Sequence, residues 1–148
     1  MSLKARINED VKQAMRSGDK ARLKILRMVT AAIKQREIDE RIELDDVQVL
    51  AVVEKMIKQR RESAEQYRAG NRPELADVEE AEITVLETYL PEQLSDDELA
   101  EAVDQAIAEA DASDMKAMGQ VMGLLKPRLQ GRADMGKVSG LVRSRLAG

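Results

Sequence analysis

The side chains of this chain best suited to chemistry are the lysines and arginines near its carboxyl end. Residues 115–148 contain seven bases and one acid, Asp134, whereas residues 91–114 contain nine acids and no base. The bases are Lys116, Lys126, Arg128, Arg132, Lys137, Arg143 and Arg145. A block of net charge +6 in a chain of net charge −4 indicates a binding surface for a phosphate-bearing partner.

Few residues are available for catalysis. The chain has no histidine and no cysteine, so it lacks the commonest general base, the commonest metal ligand and any thiolate nucleophile. No Walker A loop or GxGxxG segment is present. We therefore expect a non-catalytic protein with no catalytic residues, no metal site and no cofactor.

Composition favours helices. Phe and Trp are absent, so the core must consist of Leu, Ile, Val, Ala and Met, which suits helix-on-helix packing. The first residues, MSLKARINEDVKQ, contain no apolar run of signal-peptide length, and no stretch approaches the length of a membrane span. These features predict an all-α, cytoplasmic protein without a membrane partner.

Residues 1–90 are predicted to form a bundle of about four helices. The first helix is indicated by apolar residues at every fourth position, namely Leu3, Ile7, Val11 and Met15. Gly18 is a typical helix stop and Asp19 a typical cap of the next helix. Asp45 or Asp46 then opens a third helix, and Pro73 suits the first position of a fourth.

Residues 91–148 are predicted to form a small C-terminal domain of three helices. Ser95 and Glu98 have the spacing of a capping box, which marks the start of a helix. Met115, Met118 and Met122 lie at core spacing on the next helix, and the last helix follows Asp134. No internal repeat is apparent anywhere in the chain.

Glycines are frequent in the same segment. Gly119 and Gly123 lie four residues apart and would leave one helix face open to a close neighbour, either another helix or a nucleic-acid strand. Gly131 and Arg132 precede a helix N-terminus whose N–H groups, with Lys137 nearby, would suit a phosphate. Asp134 at that terminus works against an anion.

Basic and acidic blocks also alternate in the first ninety residues. The net charges are +7, −6, +4 and −6 for residues 1–36, 37–54, 55–72 and 73–90. The third block holds a row of bases, Lys55, Lys58, Arg60 and Arg61. This row could meet phosphates along a nucleic-acid backbone, or it could be a solvated ridge paired with Glu54, Glu62 and Glu65.

Several of these segments resemble the YqeY family. The similar segments are GQVMGLL at 119–125, GRAD at 131–134, VxxLVRxRL at 138–146, LRMVTAAIKQREID at 26–39 and YLPEQLSDDEL at 89–99. The family is similar to the tail of the B subunit of the glutamine-dependent aspartyl/glutamyl-tRNA amidotransferase. It is also similar to a domain appended to some glutaminyl-tRNA synthetases.

The resemblance implies a non-catalytic protein that contacts tRNA. The implied RNA face comprises Gly119, Gln120, Gly131 and Arg132 with the basic residues around them. Any ligase or transferase label would be inherited from the multidomain relative. The alternative is a helical protein-interaction module that docks on a synthetase or amidotransferase through its acidic residues 73–114 or its methionine face.

Overall fold

The computed structural model describes residues 1–147 and is helical throughout. It contains seven α-helices and one short 3-10 turn, and none of those residues lies in a strand. The prediction of an all-α fold is confirmed. Contacts along the chain cluster into two compact units, Met1–Leu90 and Pro91–Gly148.

The first unit holds four helices whose ends carry local stop and start signals. They are α1 (Leu3–Ser17), α2 (Lys20–Glu40), α3 (Asp46–Ala69) and α4 (Pro73–Glu87). Gly18 ends α1 with φ of 71°, a conformation that glycine adopts without strain. The Asp19 carboxylate accepts a hydrogen bond from the Arg22 N–H at 3.1 Å, and Asp45 forms a capping box with Gln48. Pro73 occupies the start of α4.

The core of this unit consists mostly of aliphatic side chains. Its fully buried large residues are Ile7, Ile25, Leu26, Val29, Val49, Val53 and Leu86. The sequence placed Met15 on the buried face of α1, but Met15 is 55% exposed and Ala14 is buried instead. A four-residue step advances about 400° around a helix of 3.6 residues per turn, so a repeated step of four drifts away from the core.

The end of α4 is fixed to α1 by a tyrosine. Tyr89 is 4% exposed, and its hydroxyl donates a hydrogen bond of 2.6 Å to the Asp10 carboxylate. Burial, with the hydrogen bond to Asp10, raises the pKa of Tyr89 well above its usual value. The Arg6 guanidinium lies 4.9 Å from the centre of the Tyr89 ring and donates to the Thr88 carbonyl oxygen at 2.9 Å. The Tyr89 hydroxyl therefore keeps its proton, and its hydrogen bond to Asp10, to a higher pH than an exposed tyrosine would.

The second unit contains three helices and the 3-10 turn. The helices are α5 (Asp96–Glu109), α6 (Met118–Leu129) and α7 (Met135–Ala147), and the turn spans Met115–Ala117. The capping box predicted at Ser95 and Glu98 is present. The fully buried large residues of this unit are Val103, Val121, Leu125, Val138 and Val142.

The methionine stripe is only partly in the core. Met118 and Met122 are half-buried against the second core, but Met115 is 42% exposed. Asp114 caps the 3-10 turn rather than an α-helix, and α6 begins only at Met118. Met115 therefore does not continue the buried face of α6, and its prediction as a core residue is wrong.

Replacement of Tyr89 by phenylalanine should destabilise the first unit. The change removes a buried donor to a carboxylate, and we expect the free energy of unfolding to fall by about 1.5 kcal/mol. Urea-induced unfolding followed by circular dichroism measures the change. Tyr67→Phe is the matched control, because Tyr67 is half-buried and its hydroxyl makes no hydrogen bond to residues 1–147. Equal losses in the two variants would contradict the assigned role of the Asp10 contact.

Candidate nucleic-acid interface

Helices α6 and α7 are two copies of one sequence pattern. GQVMGLLK at 119–126 aligns with GKVSGLVR at 136–143, and the alignment extends to a leucine at 129 and 146. Equivalent positions are buried in both helices, namely Val121 with Val138, Leu125 with Val142, and Leu129 with Leu146. The expectation that the chain has no internal repeat is therefore wrong.

Both copies present glycines to solvent at equivalent positions. Gly119 and Gly123 on α6 correspond to Gly136 and Gly140 on α7, and all four are exposed. A Cβ atom added at Gly119, Gly123 or Gly140 would meet no heavy atom within 4 Å. Close helix packing, one of the two explanations considered for the Gly119 and Gly123 pair, therefore does not occur at these three positions.

Each row of glycines ends in an exposed base. Lys126 follows Gly123 by three residues on α6, and Arg143 follows Gly140 by three on α7. Residues three apart are neighbours on one side of a helix, so the base and the glycines share a face. We call these two surfaces the glycine faces: Gly119, Gly123 and Lys126 on α6, and Gly136, Gly140 and Arg143 on α7.

The bases on the glycine faces are not neutralised by carboxylates. Lys126 and Arg143 make no ion pair with any residue in 1–147, and neither does Lys116 in the adjoining 3-10 turn. Gln120, beside Gly119, is also exposed. Gly119, Gly123 and Gly140 therefore combine open backbone with a nearby base that has no carboxylate partner, whereas Gly136 lies beside the Asp134 carboxylate.

Three other candidate bases pair with the acidic helix α5. Arg128 pairs with Glu109 at 2.5 Å, and its repeat equivalent Arg145 pairs with Asp104 at 3.0 Å. Lys137 Nζ lies 2.5 Å from Asp96, and this hydrogen bond lowers the pKa of the Asp96 carboxyl. All these side chains are at least 41% exposed. The predicted basic surface is thus divided into paired and unpaired bases.

Charge counted over the whole unit is negative. Residues 91–148 contain seven bases and ten acids, a net charge of −3. Six of these acids lie on α5, which has no base. The acids of residues 91–114, most of which lie on α5, therefore offset the positive charge of α6 and α7.

The turn at Gly131 and Arg132 is occupied by contacts within the unit. Gln93 Nε2 donates to the Gly131 carbonyl oxygen, and the Leu94 N–H donates to that of Arg132 at 2.9 Å. Arg132 is half-buried, and its Nε donates to the Glu92 carbonyl oxygen at 3.3 Å. Through these hydrogen bonds, Gly131 and Arg132 hold the first residues of the second unit in position.

The N-terminus of α7 is also partly occupied. The Asp134 carboxylate accepts a hydrogen bond from the Gly136 N–H at 3.1 Å. The sequence predicts that N–H groups at this helix terminus could bind a phosphate. The N–H of Gly136 already donates to Asp134, and the Asp134 carboxylate occupies the position where the anion would bind.

The basic row on α3 does not form a free ridge. Arg60 Nε lies 3.5 Å from the Glu82 carboxylate, with only 11% and 15% of the two side chains exposed. Arg61 pairs with Glu87 at 3.3 Å. Both acids belong to α4, whereas the sequence suggested partners on α3 itself. Lys55 and Lys58 alone remain exposed without an ion pair among residues 1–147.

Residues 1–147 contain neither a cluster of metal ligands nor a membrane-spanning helix. No three Asp or Glu side chains in this range come together as a metal site. No helix in it has the length and apolarity needed to cross a membrane.

A known protein family matches this chain over nearly its whole length. The family model described as "Yqey-like protein" matches residues 4–146. Altered inheritance of mitochondria protein 41 of Vanderwaltozyma polyspora is 34% identical over 85 residues, which are 57% of this chain and 46% of that protein. The protein of the same name from Pyrenophora tritici-repentis is 30% identical over 130 residues, 86% of this chain and 71% of that protein. Against the yeast relative, the matched segment spans less than half of the relative's length.

The names of these relatives contradict the predicted cytoplasmic localisation. Both proteins are named as mitochondrial. The lack of an apolar segment of signal-peptide length bears only on secretion. Mitochondrial targeting segments are amphipathic and rich in arginine rather than apolar, so this feature does not separate the two compartments.

Replacement of the mid-helix glycines by alanine should stabilise the second unit. Gly123→Ala and Gly140→Ala each place a methyl group in open space and relieve the entropic cost of glycine in a helix. We expect each change to raise the free energy of unfolding by about 0.5–1 kcal/mol. Thermal unfolding measures the effect. A loss of stability would show that these positions are required for packing.

Proposed function

The chain belongs to the YqeY family, and from this premise we propose that it is a non-catalytic accessory protein that binds tRNA. We further propose that its two units are separate domains, a four-helix bundle at 1–90 and a small three-helix domain at 91–148. The observation that carries the proposal is the pair of glycine faces on α6 and α7. Each ends in a base without a carboxylate partner among residues 1–147.

The glycine faces suit a nucleic-acid backbone. Without side chains at Gly123 and Gly140, a sugar-phosphate strand can approach the helix surface closely. Lys126 and Arg143 would then meet phosphates, and each contact would contribute to affinity by releasing counterions. The chain has only two aromatic residues, Tyr67 and Tyr89, both outside the second unit, so base stacking there is unavailable. The binding would follow RNA shape and charge rather than base sequence.

The paired arginines provide a second group of contacts. Arg128 and Arg145 are exposed together with their α5 partners. Ion pairs in water are weak, so a phosphate that offers two oxygens to a guanidinium can replace the carboxylate. An incoming anion must compete with the α5 carboxylates for Arg128 and Arg145. The α5 acids would therefore disfavour anions that bind these arginines weakly or fit them poorly.

We propose no reaction for this chain. It contains neither histidine nor cysteine, and the sites argued above are built for charge contact. Glutamine hydrolysis or amide transfer in a related multidomain protein would fall to its other domains. A cofactor has no part in the proposed function.

One observation favours a protein partner as the second candidate. Asp97 and Glu101 on α5 are exposed and make no ion pair with residues 1–147. An acidic helix face of this kind could dock on a basic surface of a synthetase or amidotransferase. The two candidates differ in which face of the second unit is engaged.

Removal of the two bases of the glycine faces should weaken tRNA binding and reduce its salt dependence. In Lys126→Gln/Arg143→Gln, the slope of log affinity against log salt should fall by about 1.5–2. Affinity should drop most at low salt. Titration of bulk tRNA at several salt concentrations, with fluorescence anisotropy as readout, measures both quantities.

A matched control separates local contacts from net charge. Arg61→Gln/Arg68→Gln also removes two positive charges, but both residues lie in the first unit and already pair with acids of α4. It should retain most of the affinity. Undiminished binding in the Lys126→Gln/Arg143→Gln variant would reject the glycine faces as the RNA site and favour the protein partner.

The glycine variants should separate stability from binding. Gly123→Ala/Gly140→Ala adds two methyl groups in the path of the proposed strand without changing charge. We expect tRNA affinity to fall several-fold while the salt slope stays close to that of the wild type. Wild-type affinity in this variant would mean that the strand does not approach the helix backbone.

A further inference from the structure

The exposed side of α2 carries a row of four bases. Lys20, Lys24, Arg27 and Lys34 are all exposed, while Ile25, Leu26, Val29 and Ile33 on the other side of α2 are buried. Their spacing of four, three and seven residues keeps them on one face of the helix. From residue 20 to residue 36, α2 contains no acid. We call this row the basic ridge.

The basic ridge has no carboxylate partner in the first unit. None of its four members makes an ion pair with any residue in 1–147, whereas Arg22 pairs with Asp10 at 3.7 Å and Arg36 pairs with Glu40. Arg22 and Arg36 lie on the same helix, so the lack of partners is specific to the exposed row.

Carboxylates near the ridge already have other partners. Asp10 accepts from the Tyr89 hydroxyl, and Asp19 accepts from the Arg22 N–H as the cap of α2. Glu37 binds Lys4 Nζ and the Leu44 N–H, and these contacts lower its pKa. The positive charge of the ridge therefore remains available to an external anion.

The arrangement is unfavourable for the isolated helix. Lys20 and Lys24 lie four apart at the N-terminal end of α2, where the helix dipole disfavours cations, and the first turn has no acid. Lys24 and Arg27 add a like-charged pair at a spacing of three. These charges therefore do not stabilise α2, and an anionic ligand would offset their mutual repulsion.

We propose that the basic ridge is a second docking surface for the phosphate backbone of a folded RNA. Fourteen residues at about 1.5 Å each place the outer bases about 21 Å apart, a span that covers several phosphates of a strand. The main apolar side of α2 is buried in the core, and of its large apolar residues only Met28 and Ile38 are exposed. The helix therefore lacks the continuous apolar face that insertion into a membrane requires. The ridge lies in the first unit and does not depend on the glycine faces.

Charge removal on the ridge tests this proposal. In Lys24→Gln/Arg27→Gln, the salt slope for tRNA binding should fall by about 1.5–2, and affinity at low salt should fall at least tenfold. The melting temperature should be equal to or above that of the wild type, because like-charge repulsion is relieved. Arg61→Gln/Arg68→Gln serves as the control of equal net charge.

The outcomes separate this proposal from the proposed function. If Lys24→Gln/Arg27→Gln binds tRNA like the wild type or the control, while Lys126→Gln/Arg143→Gln loses affinity, the ridge is overturned and the glycine faces stand. If Lys24→Gln/Arg27→Gln loses affinity while Lys126→Gln/Arg143→Gln binds like the wild type, the ridge is supported and the glycine faces are not. A wild type that binds no tRNA overturns both. Ridge-dependent binding to vesicles of anionic phospholipid without tRNA binding also overturns the ridge as an RNA surface.

Discussion

The whole molecule depends on cores built without phenylalanine or tryptophan. Aliphatic side chains are small, so each helix must contribute a regular stripe of them to close the space between neighbours. That stripe uses one side of each helix. The opposite side of each helix does not pack against the core, and the charged residues and helical glycines lie there. Because the buried and exposed faces are clearly separated, exposed residues can be considered for binding without a competing role in the core.

Sequence reasoning succeeded where the signal was local. The caps at Asp19, Asp45 and Ser95 and the stop at Gly18 were predicted from a few neighbouring residues, because each acts on the adjacent turn of helix. Family membership was also predicted correctly from separated sequence segments. Met15 and Met115 were misplaced, since helix phase and a 3-10 turn decide which way a side chain faces.

Non-local features were harder to predict. The partners of Arg60 and Arg128 lie on other helices, and their identity depends on how those helices pack. The division of the C-terminal bases into paired and unpaired groups could not be seen in a charge count for the same reason. The repeat in α6 and α7 could have been found in the sequence, because its glycines, valines and bases align without a gap. Its length, a single helix, is far below that of the usual structural repeat, so it is easily missed in the sequence.

The duplicated helix pattern has a consequence for how the second unit would hold a ligand. If the proposed contacts with RNA are made, two equivalent faces on one compact unit would act as a bivalent binder, since capture at α6 would keep the same molecule close to α7. The second contact would then form at a high effective concentration, and two weak attachments would yield a strong one. Such avidity requires a ligand that presents equivalent groups at a fixed separation, a property of a regular polymer backbone and not of a small anion.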